Sequence, residues 1–150
     1  MIELAIRAAT RADLPLLAAM NRRMVEDERN VNPMDLAALE ARMANWLVGD
    51  WRVDLILADG ETAGYAVYRP QANEYFPTRP RTFLRHFYVE RELRGRGVGR
   101  RAFAALVAER FPPGGEVVLE VLESNPGGRR CWERMGPRPH CTTMILPAEA

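Results

Sequence analysis

A chain of 150 residues with 27% charged side chains and a formal net charge of +1 is long enough for one domain that buries roughly 70% of its unfolded-chain surface. The near-neutral balance argues against general electrostatic binding to nucleic acid or to an anionic membrane, and no apolar run approaches the ~20 residues that span a bilayer. Two cysteines, Cys131 and Cys141, and two histidines, His86 and His140, make neither a disulfide framework nor a zinc-ligand spacing, so no metal is expected, and a soluble cytoplasmic protein is the default.

Ile2 to Ala8 alternates as a strand does, and Thr10-Arg-Ala-Asp13 has the spacing of a capping box ahead of a helix that runs to about Arg29. Leu14, Leu17, Ala18 and Met24 form its apolar stripe, with Pro15 tolerated in the first turn. After the break at Asn30-Val-Asn-Pro33, Leu36, Leu39, Met43, Trp46 and Leu47 recur at helical spacing until Gly49. Val53 to Ala58 and Thr62 to Tyr68, joined by Asp59-Gly60, read as a tight hairpin. A Pro-containing loop from Arg69 to Pro80 leads to a strand ending at Val89. A helix from Val98 to Arg110, a strand from Glu116 to Leu122, a short helix after Asn125-Pro126 and a last strand from Pro139 to Leu146 complete the order βααβββαβαβ. That order predicts an α/β mixed sheet with helices on both faces, in a single domain of residues 1–150.

Between the strand ending at Val89 and the helix starting at Val98 stands Arg94-Gly-Arg-Gly-Val-Gly99. Glycines let backbone N–H groups converge, and the helix that follows offers its unpaired N–H groups and positive end to an anion. The chain contains no lysine, which excludes a P-loop, and the spacing of Gly95, Gly97 and Gly99 is not that of a dinucleotide fingerprint. The alternative is an ordinary solvated arginine run.

Phe87-Tyr-Val89 followed by Arg94-x-x-Gly97-x-Gly99 resembles the acetyl-CoA motif of the GCN5-related N-acetyltransferase family. Leu119-Glu-Val121, Asn125 and Cys131-Trp-Glu-Arg-Met-Gly136 resemble the family's later block, and the element order fits over nearly the whole chain. The resemblance implies that Arg94, Gly95, Arg96, Gly97, Val98, Gly99 and Arg100 hold the pyrophosphate of acetyl-CoA, largely through backbone amides. It further implies that the backbone of Phe87 and Val89, with Asn125 and the region of Trp132, aligns the rest of the cofactor.

For the chemistry, Glu120 is the expected general base: it stands five residues before Asn125, as in acetyltransferases of ribosomal-protein N-termini, and on a strand it shares a face with Val118 and Leu122. The competing reading is a strand-end acid paired with an arginine. Arg85 occupies the place of an acid in polyamine acetyltransferases, which disfavours a polyamine; it either holds a carboxylate or phosphate of the substrate or lies on the surface. Trp132 stands where many relatives have a tyrosine acid, and an indole cannot serve as one. Glu26 and its neighbours Asp27 and Glu28 would attract an ammonium group or form a solvated helix face, Tyr75, Phe76, His86 and Tyr88 are candidates to line the acceptor cleft, and Cys131 is read as helix packing.

The expected activity is acetyl transfer from acetyl-CoA to a primary amine of a small molecule, one that also bears an anionic group if Arg85 faces the site. A protein or peptide N-terminus is the variant of the same class. A catalytically weak acyl-CoA-binding regulatory module fits Trp132 and Arg85 as well, and an RNA-binding Arg-Gly domain is the least supported reading. A homodimer is expected from the family, with the last strand a candidate for exchange.

Overall fold

The computed structural model describes residues 1–149. Five strands form one sheet in the order β1 (Leu4–Ala8), β2 (Arg52–Ala58), β3 (Glu61–Pro70), β4 (Arg81–Val89) and β5 (Glu116–Leu119). The first three pairings are antiparallel and β4–β5 is parallel. Helices α1 (Leu14–Asp27) and α2 (Leu36–Val48) cover one face; α3 (Val98–Glu109) and α4 (Pro126–Met135) cover the other.

Period-two alternation in the sheet separates two cores. Val53, Leu55, Tyr65 and Val67 meet Leu17, Met20, Met24, Met43 and Trp46 of α1 and α2, whereas Ala66, Tyr68 and Leu84 meet Leu106 of α3 and Phe111. Local chemistry fixes the element ends. Asp13 accepts from the Thr10 backbone N–H at 2.8 Å, Asp35 caps α2 by accepting from Ala38 N–H at 2.8 Å, and α2 stops at Gly49. The hairpin turn places Asp59 at φ 51° and Gly60 at φ 82°, the left-handed pair of a two-residue connection.

Two irregularities shape the centre. His86 pairs with Val67 and Leu84 with Tyr68, so Arg85 is an extra residue, a β-bulge in β4. The bulge resets which face each following side chain takes: Phe87 joins Leu84 on the α3 side, while His86 and Tyr88 lie toward α1 and α2. The second is Gly64 on β3, where any Cβ would penetrate the Tyr88 carbonyl oxygen, so β4 can approach only a glycine at this register.

The sequence expectations fail at three ends. β1 begins at Leu4 rather than Ile2, and the strand expected to Leu122 ends at Leu119. The strand expected over Pro139–Leu146 is absent: residues 137–149 carry no regular structure, and Met144, Ile145 and Leu146 are exposed. A strand exists only by pairing, and the free edge of β5 is four residues long, while Pro137 and Pro139 have no N–H to donate.

His86 is a titratable group strongly affected by this core. It is buried, hydrogen-bonded through Nδ1 to the Tyr65 hydroxyl at 3.0 Å, and edge-on to Trp46 at 5.2 Å. Burial, with the charges of Arg42 and Arg85 adding to it, pushes its pKa from 6.5 down to about 3.

Two outcomes are expected. Gly64→Ala lowers the urea midpoint by the equivalent of about 1–3 kcal/mol or more, because the clash is with backbone that cannot rotate away; an unchanged midpoint would show that the strands separate freely here. The unfolded chain protonates His86 near pH 6.5 and the folded chain only near 3, so stability falls as pH drops through that window. His86→Gln removes this contribution, and its melting temperature, measured from pH 7.5 to 4.5, declines less steeply than that of the parent.

Candidate active site

β4 and β5 stay together only from Arg81↔Glu116 to Leu84↔Leu119. Beyond that, β5 has ended while β4 continues through Arg85–Val89, paired as a strand with β3 alone. A cleft opens at the divergence. Leu84, Arg85, His86 and Phe87 form one wall, Leu119, Glu120 and Trp132 the other, and Met24 and Glu28 of the α1 end close it.

At the far end of β4 a 3-10 turn (Arg91–Leu93) leads into the glycine loop. Gly95 and Gly97 sit at φ 77° and 78°, with open space where a Cβ would stand, so conformation and not crowding requires glycine there. Gly97 caps α3, whose first N–H to find a helical carbonyl is that of Arg101, bonded to Gly97 O at 3.1 Å. The N–H groups of Val98, Gly99 and Arg100 therefore have no carbonyl one turn back to receive them. Gly99 brings this first turn against the end of β4, its Cβ position 3.9 Å from Val89 Cγ2. The arrangement suits a phosphate at the helix start and an extended, amide-bearing chain along the open edge of β4.

Arginine side chains contribute less to this cradle than the sequence suggests. Arg94 donates from Nε to the Val89 carbonyl at 2.9 Å and pairs with Asp27 at 2.6 Å; Arg100 donates to the Arg134 carbonyl at 3.2 Å. Both brace the loop. Arg96 and Arg101 are exposed and without an ion pair among the described residues.

The same bracing accounts for two of the acids at the end of α1. Asp27 binds Arg91 at 2.7 Å as well as Arg94, Glu26 binds Arg91 at 3.2 Å, and Arg23 makes a two-pronged contact with Glu90 at 3.0 and 3.1 Å. Glu26, expected to attract the acceptor, is thus tied to the loop. Glu28 alone of the three reaches the cleft, where burial and, second, the charge of Asp27 hold its carboxyl above the usual glutamate range. Ser124 donates to the Glu28 carbonyl at 2.7 Å, joining the α1 end to the turn before α4.

Other expected site residues are placed as follows. Glu120 lies just past β5 on the cleft wall and is exposed, as is Leu122, so the apolar strand row imagined for them does not form. Trp132 packs against Phe87 at 5.4 Å and Phe103 at 5.1 Å, fastening α4 to β4 and α3. Its indole is cleft wall and core at once. Asn125 accepts from Gly128 N–H at 3.0 Å, so its side-chain oxygen is engaged as the α4 cap. Tyr88, beyond the bulge, turns toward α1 and is only 2% exposed, which places its ring in the core. Tyr75 and Phe76 are exposed on the β3–β4 loop, and Cys131 is exposed rather than packed. The sequence reading missed Trp51, over which Arg85 lies, and Arg42, which shares the Trp46 ring with Arg85 on the α2 face, contacts that no spacing rule announces.

The chain matches the model of the acetyltransferase (GNAT) family over residues 19–136. No curated protein matches it. Among solved structures it is similar to aminoglycoside N-acetyltransferase AAC(6')-Iy in complex with CoA (TM-score 0.76, 17% identity, 100% of this chain and 97% of that one). It is also similar to a tetramutant of the BH1408 protein from Bacillus halodurans (0.77, 23%, 96% and 99%) and to ribosomal-protein-alanine N-acetyltransferase from Brucella melitensis biovar Abortus 2308 (0.71, 14%, 97% and 100%). At these identities the solved structures speak for the fold; the family match, which runs from within α1 to the end of α4 and takes in the glycine loop and both walls of the cleft, shows that the chain belongs to the GNAT family of N-acetyltransferases, which use acetyl-CoA.

Proposed function

We propose that the whole chain is one catalytic domain that transfers acetyl directly from acetyl-CoA to the primary amine of a small molecule, with a carboxylate of the β4–β5 cleft taking the amine's proton. The observation that carries this reading is the continuity of the site: the α3 cradle, the open edge of β4 and a cleft bearing two carboxylates lie along one strand. In this reading the N–H groups of Val98, Gly99 and Arg100 hold the pyrophosphate, helped by a helix-end field worth about 0.3–1 kcal/mol. Backbone of Phe87 and Val89 aligns the acyl arm, and a free N–H on the β4 edge polarises the thioester carbonyl.

A lysine-like amine is neutral only about one part in 2,500 at pH 7, a cost of about 4.6 kcal/mol, which is why a base matters. Glu120 is the base in the leading assignment, being at the cleft and open to solvent for disposal of the proton. Glu28 is the second candidate, favoured by its partial desolvation, which makes its carboxylate more basic than an exposed one. As the N–C bond forms, the thioester C–S bond breaks and its electron pair leaves on sulfur. With a thiol pKa near 8.5 as reference, that thiolate is a tolerable leaving group without an acid, so Trp132 in the tyrosine position is compatible with turnover. A peptide N-terminus is the alternative acceptor, supported by the likeness to a ribosomal-protein-alanine N-acetyltransferase.

Calorimetry with acetyl-CoA and thiol release with an amine panel test this. Replacing the base, by Glu120→Gln or Glu28→Gln, lowers kcat by roughly 10²- to 10⁴-fold with acetyl-CoA affinity unchanged; undiminished kcat in both variants would exclude carboxylate base catalysis. Gly97→Val forces a branched residue into a left-handed conformation at the cap of α3 and weakens acetyl-CoA binding at least tenfold in the same titration. Binding without thiol release from any amine or peptide would leave a cofactor-sensing module as the reading.

A further inference from the structure

On the α2 side of the sheet, three arginines and two tryptophans alternate. The Arg42 guanidinium lies 4.5 Å from the Trp46 ring centre, Arg85 lies 4.9 Å from Trp46 and 5.3 Å from Trp51, and Arg69 lies 4.1 Å from Trp51. The two indoles are themselves 5.9 Å apart. Stacking on an indole occupies the face of a guanidinium and leaves its in-plane N–H donors pointing outward, fixed in direction and available to a planar or tetrahedral oxyanion.

These charges lack anions. Among the described residues Arg23, Arg91, Arg94 and Arg110 each pair with an acid, whereas Arg42, Arg69 and Arg85 pair with none. Arg42 donates to Asn21 Oδ1 at 3.1 Å, but its Nε is buried with no acceptor. Burial and, next, the positive charge of Arg85 depress the Arg42 pKa, the mark of a cation held without compensation. Asp50 borders the hollow beside Arg69 and Arg52 yet forms no ion pair among the described residues.

The ladder is joined to the acetyl-transfer cleft at Arg85. As the bulged residue of β4, Arg85 both stacks on the tryptophans and lines the cleft with His86, whose ring abuts Trp46. We infer that this ladder recognises the acceptor: Arg85, within the field of Arg42 and Arg69, grips a carboxylate or phosphate carried by the same molecule whose amine enters the cleft. This rests on the acetyltransferase reading above and narrows it to amines bearing an oxyanion. The same field repels multiply cationic acceptors.

Two independent measurements test it. First, inorganic phosphate is titrated into the protein against sodium chloride of equal ionic strength, following tryptophan fluorescence; Trp46 and Trp51 report a saturable change that Arg85→Gln weakens at least tenfold. Second, thiol release is compared for matched acceptors: phenylalanine against phenethylamine for carboxylate, phosphoethanolamine against ethanolamine for phosphate. The parent protein favours the anionic member of at least one pair, which identifies the oxyanion, and Arg85→Gln lowers that kcat/KM ratio at least tenfold, mainly through KM. Arg85→Lys restores part of it by keeping the charge without the fork. Normal acetyl-CoA binding and turnover with no anion preference, or a preference unmoved in Arg85→Gln, would overturn the inference and leave the acetyltransferase reading intact. Failure to bind acetyl-CoA would instead overturn that reading, and with it the ladder's role in acceptor choice, whatever the phosphate titration shows.

Discussion

The divergence of β4 from β5 after Leu84 and Leu119 is the constraint on which the site depends. A strand paired on one side only carries N–H and C=O groups that need partners, and leaving them without any is costly once water is displaced. In the function proposed above, an acyl carrier with amides along its length would meet that need as a missing strand would. β4 remains in place without a partner on that edge because it is held on its other edge by β3, so closely at Gly64 that a side chain would not fit. Phe87, Phe103 and Trp132 then fasten the opposite wall by aromatic packing, since no ladder hydrogen bonds are left to do it.

The glycine loop is held in a different way. Arg91 and Arg94 reach from the loop to Asp27 on α1, and Arg94 also returns to the Val89 carbonyl. Individual ion pairs at this exposure are worth about 0–1 kcal/mol, so their value lies in geometry: they fix the loop against both α1 and β4. The end of α1 therefore faces two parts of the site. Asp27 orients the cradle while Glu28, one residue on, enters the cleft. Acids near a helix C-terminus oppose the helix dipole; here the arginines of the loop neutralise two of the three.

Local signals in the sequence were sufficient for most of the architecture. Asp59-Gly60, the stop at Gly49 and the glycines 95 and 97 of the loop each follow from the conformational preferences of the residues involved, and they lie where those preferences put them. What the sequence did not disclose depends on partners distant along the chain. Arg94 and Glu26 have side chains suited to a ligand, but their nearest opposite charges, Asp27 and Arg91, belong to the fold. The bulge at Arg85 follows from register with Val67 and Tyr68 and reverses the side to which Tyr88 points. Apolar character in Met144-Ile-Leu146 is a necessary condition for a strand there, not a sufficient one, because an edge long enough to pair with it must also exist.

The absence of lysine has a structural consequence. An ammonium group is compact, strongly hydrated and readily deprotonated when buried, whereas guanidinium is planar, weakly hydrated and charged throughout the physiological range. Arg42 is half-buried beside Trp46, where an ammonium would lose hydration without gaining equivalent stacking, and Arg85, though exposed, lies over both indoles, a contact an ammonium would make less well. The loop uses the same property, since Arg94 serves the Val89 carbonyl and the Asp27 carboxylate from one rigid group. Arginine thus has two distinct uses in one site: Arg91 and Arg94 are paired with acids where they brace the glycine loop, whereas Arg85 is left without an acid among the described residues where the bulge of β4 turns it toward the cleft. That difference in pairing, rather than the number of arginines, is what leaves uncompensated positive charge beside the cleft in a chain whose net charge is only +1.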